Sequence, residues 1–533
     1  MSEGWDYIIV GAGSAGCVLA ERLSADPRNR VLLLEAGPDD RHPFVHMPRG
    51  AAKLYSDPKR VWFFPTEAHD DVPSEMWIRG RMLGGSSSVN GMMYFRGQPQ
   101  DYDGWEALGA CGWGWSEMSR AFKAIERHEL GEGEQRGSSG RLQVTICPDR
   151  TPLNETLIAA GEQMGLRRVT DLNAPDGEVV GYTPRTIAKG RRQSAARAFL
   201  KEARRRPNLS IRTGVTVERV LFENRRAVAV EASSGAATQN FRATGEVILS
   251  AGGLMSPQLL QRSGVGDPAH LSSLGIDVQA ASPGVGRHLL EHRLLMMCYR
   301  LAKPLSLNPE YRGLRLVRNV LHYYLLGNGP MAGGAYDVGA FVRALPDSPT
   351  PDSEILMAPY CAFADPQGRF MVDRNHSIHV FGYPLRSRSE GSIRITSPDS
   401  AGPPSIRAGY LTDPYDCAVT LAMFRLIRSW MAQPALASIV AGEMDSTAAL
   451  QSDAEILHAF RSSGHAGYHA CGTCRMGDFD DAVLDADLRV RGVDGLRVVD
   501  GSVMPAMVSA NTNGPIMAMA WRASELILRG RNA

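Results

Sequence analysis

The chain has 533 residues, 44% of them hydrophobic and 22% charged, a composition that excludes a mainly disordered or fibrous protein. Lysine and arginine number 58 against 57 aspartate and glutamate residues, so the basic excess that nucleic-acid-binding proteins usually carry is missing. The length is roughly three to four times that of a typical domain, which predicts at least two domains or one large composite domain.

The cysteines and the apolar runs bear on the cellular compartment. The eight cysteines are scattered, apart from one Cys-x-x-Cys at Cys471–Cys474, whereas secreted disulfide scaffolds are shorter and richer in cysteine. The N-terminus lacks the basic segment and long apolar run of a signal peptide. The longest uncharged run that could suggest a membrane span, Val503–Trp521, contains two prolines and two asparagines, which a lipid-buried helix would hardly tolerate. We therefore expect a reduced, cytoplasmic protein without an integral membrane segment.

The start of the chain has a strand–turn–helix pattern with a glycine fingerprint. The apolar run Tyr7–Val10 is followed by Gly11-Ala-Gly-Ser-Ala-Gly16, and a second apolar run, Val31–Leu34, ends in Glu35. Such glycines permit a tight turn, the approach of a pyrophosphate and close packing of a helix, whose free amides bind phosphate. The carboxylate of Glu35 can accept hydrogen bonds from ribose hydroxyls. The pattern predicts a dinucleotide site, but it fits NAD and FAD equally.

Further along, strand-like runs surround a second glycine-rich loop. Gly80–Asn90 is too polar for core, and the strand Glu246–Ser250 runs into Ala251–Gly253, as when a doubly wound sheet returns to its cofactor. From about 294 to 465 the pattern changes to alternating strands and helices, which predicts a second, mixed α/β domain.

One helix in that region is amphipathic. Tyr311–Leu326 places Leu314, Val317, Leu321 and Tyr324 on a single face. We expect this face to cover a core, and the alternatives are a membrane-surface helix or a lid.

Several motifs together carry a family resemblance. The chain resembles the glucose–methanol–choline (GMC) oxidoreductases, and in particular their choline dehydrogenase-like members, which are FAD enzymes acting mostly on alcohols. The resemblance is carried by Gly80–Asp103, Gly252–Gly266, Pro283–His292, His469–Gly477, Asp500–Ser502 and Asn511–Pro515, all in the family's order. It implies FAD, which the first motif alone does not decide.

The resemblance also implies a fold. We expect an α/β protein in which a Rossmann-like FAD-binding domain is joined to a second mixed α/β substrate domain, whose antiparallel sheet lies over the flavin. The FAD-binding domain would be discontinuous, comprising residues 1–150, 190–293 and 466–533. The substrate domain would comprise residues 151–189 and 294–465.

The cofactor contacts follow from the same resemblance. Some members of the family attach FAD covalently through a histidine in the serine-rich loop, where this chain has Val89, so we expect non-covalent FAD. The residues expected to bind it are Gly11, Gly13, Ser14, Ala15, Gly16, Glu35, Ala36, Gly84, Gly85, Asn90, Gly91, Val217, Asp500, Gly501, Asn513 and Pro515.

The expected chemistry is oxidation of an alcohol to the aldehyde, and we expect a primary alcohol. A base must remove the hydroxyl proton while a hydride passes to flavin N5, and imidazole suits the base because its ordinary pKa lies near neutrality. By resemblance His469 is that base and Asn513 steadies the alkoxide. We expect Cys471 and Cys474 to be packing residues, and the sequence contains no metal-binding motif.

The resemblance leaves several alternatives open. Dehydrogenase is favoured over oxidase, with a quinone, a redox protein or oxygen as electron acceptor, and the partner is a small alcohol rather than nucleic acid. Aliphatic, aryl, polyether and choline-like alcohols all remain candidates, with a lean toward a partly apolar one. The alternative function is a hydroxynitrile lyase that keeps FAD only as structure.

Overall fold

Two seven-stranded sheets organise the fold. The structure, a computed structural model, describes residues 4–173, 177–364 and 370–532. We call the two sheets the nucleotide sheet and the cavity sheet, and they face opposite ends of one large cavity.

The nucleotide sheet contains the glycine fingerprint. Its central parallel strands are largely buried apolar runs, typical of a sheet covered on both faces, and Ile8, Leu33 and Ile248 are completely buried. The parallel strands, in spatial order, are Leu209–Thr213, Val31–Glu35, Trp5–Val10, the second half of Ala237–Leu249, and Leu496–Val498. An antiparallel extension, formed by Thr216–Glu223, Arg226–Ser234 and the first half of Ala237–Leu249, completes the sheet.

Three helices pack together on one side of this sheet. The helix Ser14–Leu23 begins at the fingerprint and packs against the C-terminal helix Asn513–Asn532, which also packs against Trp115–Ile125. The first and last segments of the chain therefore meet beside the glycine turn.

The cavity sheet separates a helical core from the cavity. Because successive side chains of a strand alternate between faces, Ile378 and Val380 point into the core, whereas His379, Phe381 and Tyr383 line the cavity. In spatial order its strands are Val440–Glu443, Met297–Leu301, Ser377–Pro384, Ser353–Ala358, Val338–Val342, Val179–Tyr182 and Arg167–Val169, antiparallel except for the last pair. The helices Pro152–Gln163 and Pro414–Met431 pack on the core face.

Shorter elements complete the structure. The remaining α-helices are Pro43–His46, Pro99–Ala107, Lys201–Ala203, Ser256–Arg262, Pro268–Ser273, Gly313–Leu326, Asp445–Ala448 and Asp453–Ser463. The remaining paired strands are Val61–Pro65 with Met76–Gly80, Glu126–His128 with Leu142–Ile146 and Pro184–Arg185, Ile187–Ala188 with Arg191–Arg192, Val265–Gly266 with Ala280–Ala281, Arg293–Leu294 with His465–Ala466, Ala362–Ala364 with Phe370–Val372, and Ser392–Arg394 with Ser405–Arg407.

The predicted fold class is confirmed: a parallel sheet carrying the fingerprint is joined to a mixed, largely antiparallel sheet that faces the cavity. No helix among the described residues is long and apolar enough to cross a bilayer. The cytoplasmic location and the domain boundaries stay predictions.

Two expectations need correction. The predicted core-covering face of the helix Gly313–Leu326 is exposed instead, because this helix buries the opposite side, with Tyr323 and Leu316. In addition, Cys298 and Cys361 form a disulfide, although we expected reduced cysteines. Their separation of 63 residues gave no hint of pairing, which depends on where the cavity sheet places them.

The tightest packing in the fingerprint predicts a stability effect. A Cβ atom on Gly16 would lie 1.9 Å from the carbonyl oxygen of Gly11, so Gly16→Ala forces backbone to move. We expect the free energy of unfolding to fall by about 1–3 kcal/mol or more, measured by urea denaturation. The matched control is Gly104→Ala, because Gly104 lies within the helix Pro99–Ala107 with no atom inside 4 Å of the added Cβ. That control should gain about 0.5–1 kcal/mol, and equal effects of the two substitutions would contradict the packing argument.

Candidate active site

One cavity of about 1380 Å³ lies between the carboxyl ends of the parallel strands and the inner face of the cavity sheet. Single-ligand pockets typically hold roughly 300–1,000 Å³, so this cavity has room for a large cofactor together with a substrate. Its two ends differ: glycines and backbone line the nucleotide end, and aromatic side chains line the other.

The glycines form a cradle at the nucleotide end. Gly11 has φ +99°, and a Cβ atom there would lie 2.6 Å from the carbonyl oxygen of Ser250. A Cβ on Gly85 would lie 2.7 Å from Cα of Gly13, so the two glycine loops are in backbone contact. By contrast, a Cβ on Gly13 would meet nothing closer than 3.8 Å, because that position faces the cavity. Gly13 is therefore where a ligand's phosphates can approach the backbone.

Two polar side chains at this end are free to form hydrogen bonds with a ligand. Glu35 accepts hydrogen bonds from the amides of Ala12 and Gly37, both at 2.9 Å, which fixes its carboxylate and leaves further lone pairs. Burial raises the pKa of Glu35 to about 7. The buried hydroxyl of Ser250, which lines the cavity, has no hydrogen-bond partner among the described residues. An unpaired buried hydroxyl beside a glycine cradle fits a polar cofactor such as FAD.

Most of the predicted cofactor residues line this cavity, and three do not. The thirteen that do are Gly11, Gly13, Ser14, Ala15, Glu35, Ala36, Gly85, Asn90, Gly91, Val217, Asp500, Gly501 and Asn513. Gly16 instead packs against Gly11, and Gly84 has Ser88 and Ala196 directly behind it. Pro515 lies in the first turn of the C-terminal helix.

The C-terminal helix points its N-terminus at the cavity. Asn513 is its first residue, and the side-chain oxygen of Asn513 accepts a hydrogen bond from the Ser14 hydroxyl at 2.7 Å. This bond links the N-termini of two helices, Ser14–Leu23 and Asn513–Asn532, where their dipoles favour negative charge.

Asn511, rather than Asn513, is next to the predicted base. The side-chain nitrogen of Asn511 lies 3.0 Å from Nε2 of His469, and both residues line the cavity. The sequence analysis pairs His469 with Asn513, whose side-chain oxygen accepts the Ser14 hydroxyl in this structure. The catalytic role of either asparagine stays a prediction. The two asparagines are only two positions apart. Because the helix begins at Asn513, their side chains point to different partners.

Sequence reasoning also assigned no role to His292, which contacts His469 directly. The Nδ1 atoms of the two rings are 2.8 Å apart, and the rings are nearly perpendicular. Nε2 of His292 lies 3.0 Å from the carbonyl oxygen of Leu385, and its ring stacks on Tyr383. The signal for His292 was present in the Pro283–His292 motif, but the motif does not reveal this contact.

These contacts assign the protons on both rings. The Leu385 carbonyl only accepts, so Nε2 of His292 carries a proton and its Nδ1 is an acceptor. Nδ1 of His469 must then be the donor, which leaves Nε2 of His469 with a lone pair beside the Asn511 amide. The arrangement is a directed chain of hydrogen bonds that ends in a base at the cavity.

Burial keeps both imidazoles neutral. It lowers the pKa of His292 to about 4 and the pKa of His469 well below its ordinary value. Protonation of His292 and the positive charge of the nearby Arg79 would each lower the pKa of His469 further. A histidine with a lowered pKa is unprotonated through neutral pH, so the base form is available there.

A buried carboxyl group supports this pair from behind. Oε1 of Glu291 accepts from the backbone amides of His469 at 2.6 Å and His292 at 3.0 Å, and Oε2 lies 3.4 Å from Arg79. Burial raises the pKa of Glu291 to about 7. Glu291 thus fixes the backbone on which both histidines stand.

The aromatic end of the cavity carries positive charge. Arg49 lies over the rings of Tyr311 and Tyr360, at 4.8 and 4.7 Å from their centroids, with its Nε unpaired among the described residues. The charged side chains that line the whole cavity are Glu35, Arg49, Lys53, Arg79, Arg312 and Asp500. Arg49 lies at the aromatic end, and Arg79 is paired with Glu291 beside the two histidines.

Cys471 and Cys474 are buried and are not bonded to each other. Burial raises the pKa of both thiols, which keeps them protonated. The sulfur of Cys471 contacts that of Met507 at 3.7 Å, as expected for core packing.

Known proteins share the whole of this architecture. The family model described as GMC oxidoreductase matches residues 5–294 with its N-terminal part and residues 387–520 with its C-terminal part. An alcohol dehydrogenase (acceptor) of Pseudomonas putida is 38% identical, over 98% of this chain and 96% of the relative. The mitochondrial choline dehydrogenase of Homo sapiens is 37% identical, over 98% of this chain and 89% of the relative.

A solved structure agrees with these sequence matches. The crystal structure of pyridoxine 4-oxidase from Mesorbium loti has 30% identity and a TM-score of 0.89, over 99% of this chain and 100% of that one. Two family matches over more than half of the chain, together with full-length relatives, establish the assignment. The chain belongs to the GMC oxidoreductase family of FAD-dependent flavoenzymes.

Proposed function

We propose that this protein oxidises a neutral, largely apolar primary alcohol to the aldehyde, as an FAD-dependent dehydrogenase. The observation that carries the proposal is the hydrogen-bond chain through His292 and His469, which presents an unprotonated Nε2 to the cavity beside Asn511. FAD bound in the glycine cradle supplies the acceptor for the hydride that leaves the carbinol carbon.

In this proposal, side chains of the protein accept the hydroxyl proton of the alcohol and stabilise the alkoxide. The alcohol hydroxyl takes its place between Nε2 of His469 and the Asn511 amide, and Nε2 accepts the hydroxyl proton as the C–H bond breaks. The amide of Asn511 donates to the developing alkoxide without adding charge. His292 continues to accept from Nδ1 of His469, so the protonated ring keeps its orientation.

The charge of the cavity selects among substrates. Arg49 lies against Tyr311 and Tyr360 at the aromatic end, whereas the carboxylates found among the described lining residues, Glu35 and Asp500, accept hydrogen bonds from backbone of the glycine segments. A quaternary ammonium such as choline would be repelled there, because like charges in a low-dielectric site interact strongly. Aromatic walls, among them Tyr336, Phe381 and other rings, suit an apolar body instead. The named activity of the alcohol dehydrogenase relative therefore fits this cavity better than that of the choline dehydrogenase relative.

The function is tested by mixing the yellow holoenzyme anaerobically with a panel of alcohols and measuring the loss of flavin absorbance. The panel includes choline and its uncharged analogue 3,3-dimethylbutan-1-ol, which share shape and differ in charge. We expect aliphatic and aryl primary alcohols to bleach the flavin, and the uncharged analogue to do so at least about tenfold faster than choline. Faster bleaching by choline would contradict the charge argument. If no alcohol bleaches the flavin and the protein cleaves hydroxynitriles, the protein is a lyase and the proposed alcohol oxidation is wrong.

The same experiment separates the electron acceptors. Admitting air to the bleached enzyme should restore the yellow colour slowly if the protein is a dehydrogenase, and an added quinone should restore it faster. Rapid reoxidation by air alone would make it an oxidase.

The base and its amide partner can be tested by substitution. His469→Ala should retain FAD and reduce the rate of flavin bleaching by about a hundredfold or more, because the general base is lost. Asn511→Ala should reduce the rate by about tenfold to a hundredfold. His465→Ala is the matched control, since His465 also lines the cavity but does not belong to the hydrogen-bond chain. An unchanged rate in His469→Ala, or an equal loss in His465→Ala, would remove His469 from the mechanism.

We further propose that FAD is held non-covalently. The second glycine loop, residues 84–91, contains no histidine, cysteine or tyrosine, and Val89 stands where some relatives carry their attachment site. Acid precipitation should therefore release the yellow colour into the supernatant. Colour that stays in the protein pellet would show a covalent bond.

A further inference from the structure

The helix Gly313–Leu326, here called the mouth helix, forms part of the cavity wall. On its inner side Leu316 and Val320 line the cavity. Tyr323, on the same side, is buried and donates from its hydroxyl to the backbone oxygen of His46 at 3.2 Å. The helix is thus fixed to the protein on one side.

Its outer side is apolar and exposed. Leu314, Leu321 and Leu325 are 88%, 58% and 81% exposed, and Val317 and Tyr324 between them are also exposed. Spacings of three and four residues place all five on a single helix face. Apolar patches of this kind on a protein surface mark binding sites for a partner or a membrane.

Basic residues border this face. Arg315 and Arg318 are exposed and share one acidic partner, Glu310, at 3.3 and 2.9 Å. At the far end of the helix Gly190 packs against the backbone of Gly327, which brings the hairpin Ile187–Arg192 alongside. The exposed cations on the helix and beside its far end are Arg315, Arg318, Lys189 and Arg191. Glu310 pairs with the first two, which leaves a local basic bias in a chain whose net charge is +1.

A second exposed apolar rim lies across the cavity mouth. Phe363 and Met371 face each other on paired strands, and both are exposed while lining the cavity. The rings of Tyr311 and Tyr360, 5.3 Å apart, connect this rim to the mouth helix.

We propose that the mouth helix lies along the surface of a bilayer containing anionic lipids. Its apolar face enters the boundary between headgroups and acyl chains, and its basic border contacts lipid phosphates, as in interfacial amphipathic helices. A second copy of the chain is a poorer occupant, because a two-fold contact would bring two such basic borders together. The proposal goes beyond the oxidation chemistry and does not depend on the identity of the alcohol.

Co-sedimentation of the holoenzyme with vesicles tests this surface. The protein should sediment with vesicles of phosphatidylcholine mixed with phosphatidylglycerol, sediment less with phosphatidylcholine alone, and be released by salt. The double substitution Leu321→Asp and Leu325→Asp should reduce the bound fraction at least about tenfold. Arg315→Ala with Arg318→Ala should weaken binding, whereas Glu310→Gln should strengthen it.

The matched control places two aspartates on a different surface. Leu130→Asp with Val278→Asp changes residues that are 37% and 40% exposed, and should leave vesicle binding unchanged. FAD absorbance and the rate of flavin bleaching in solution should be the same in all variants, because none of the substituted residues lines the cavity.

Three results would overturn the proposal. The first is that the wild-type protein stays in the supernatant with anionic vesicles. The second is that the protein with Leu321→Asp and Leu325→Asp sediments as well as wild type. The third is that wild type does not bind vesicles and is a dimer by size-exclusion chromatography, which this double substitution converts to a monomer; the face would then be covered by a second copy.

Discussion

The contact between two glycine loops at the carboxyl ends of parallel strands is the constraint on which the rest of the structure depends. Gly11 and Gly16 let the first strand turn tightly into its helix, and Gly85 brings the second loop against Gly13. Side chains at these positions would separate the loops. Because the loops meet without side chains, backbone amides face a space that extends to the cavity sheet, and every other part of the site is arranged around that space.

The second organising feature is a chain of hydrogen bonds between two neutral, buried histidines. Burial alone would keep the His469 ring uncharged but would not decide which of its nitrogens carries the proton. A hydrogen-bond acceptor alone would decide the tautomer but would not keep the ring uncharged. His292 supplies the acceptor, the Leu385 carbonyl fixes the proton on His292, and burial lowers both pKa values. Orientation and protonation state therefore come from the same packing, with the Glu291 carboxyl group holding the backbone beneath.

Much of this could be predicted from the sequence, because the relevant signals are local. The glycine fingerprint, Glu35 and the strand periods depend on neighbours a few residues apart, and the structure places them as the pattern indicates. Asn511 could not be distinguished from Asn513, since the choice depends on where a helix begins in three dimensions. Periodicity showed that residues 311–326 are amphipathic, but it cannot tell which face meets the protein. The pairing of Cys298 with Cys361 likewise depends on long-range strand placement.

The order of strands in the nucleotide sheet has a consequence for biosynthesis. Trp5–Val10 is made before Ala237–Leu249, which it borders, and that strand is made before its parallel neighbour Leu496–Val498. Asp500, Asn511 and Asn513, which line the cavity, are translated after every strand of both sheets. A nascent chain on the ribosome therefore has an incomplete cavity until these residues have emerged. FAD that binds the completed cavity would stabilise the folded state by mass action.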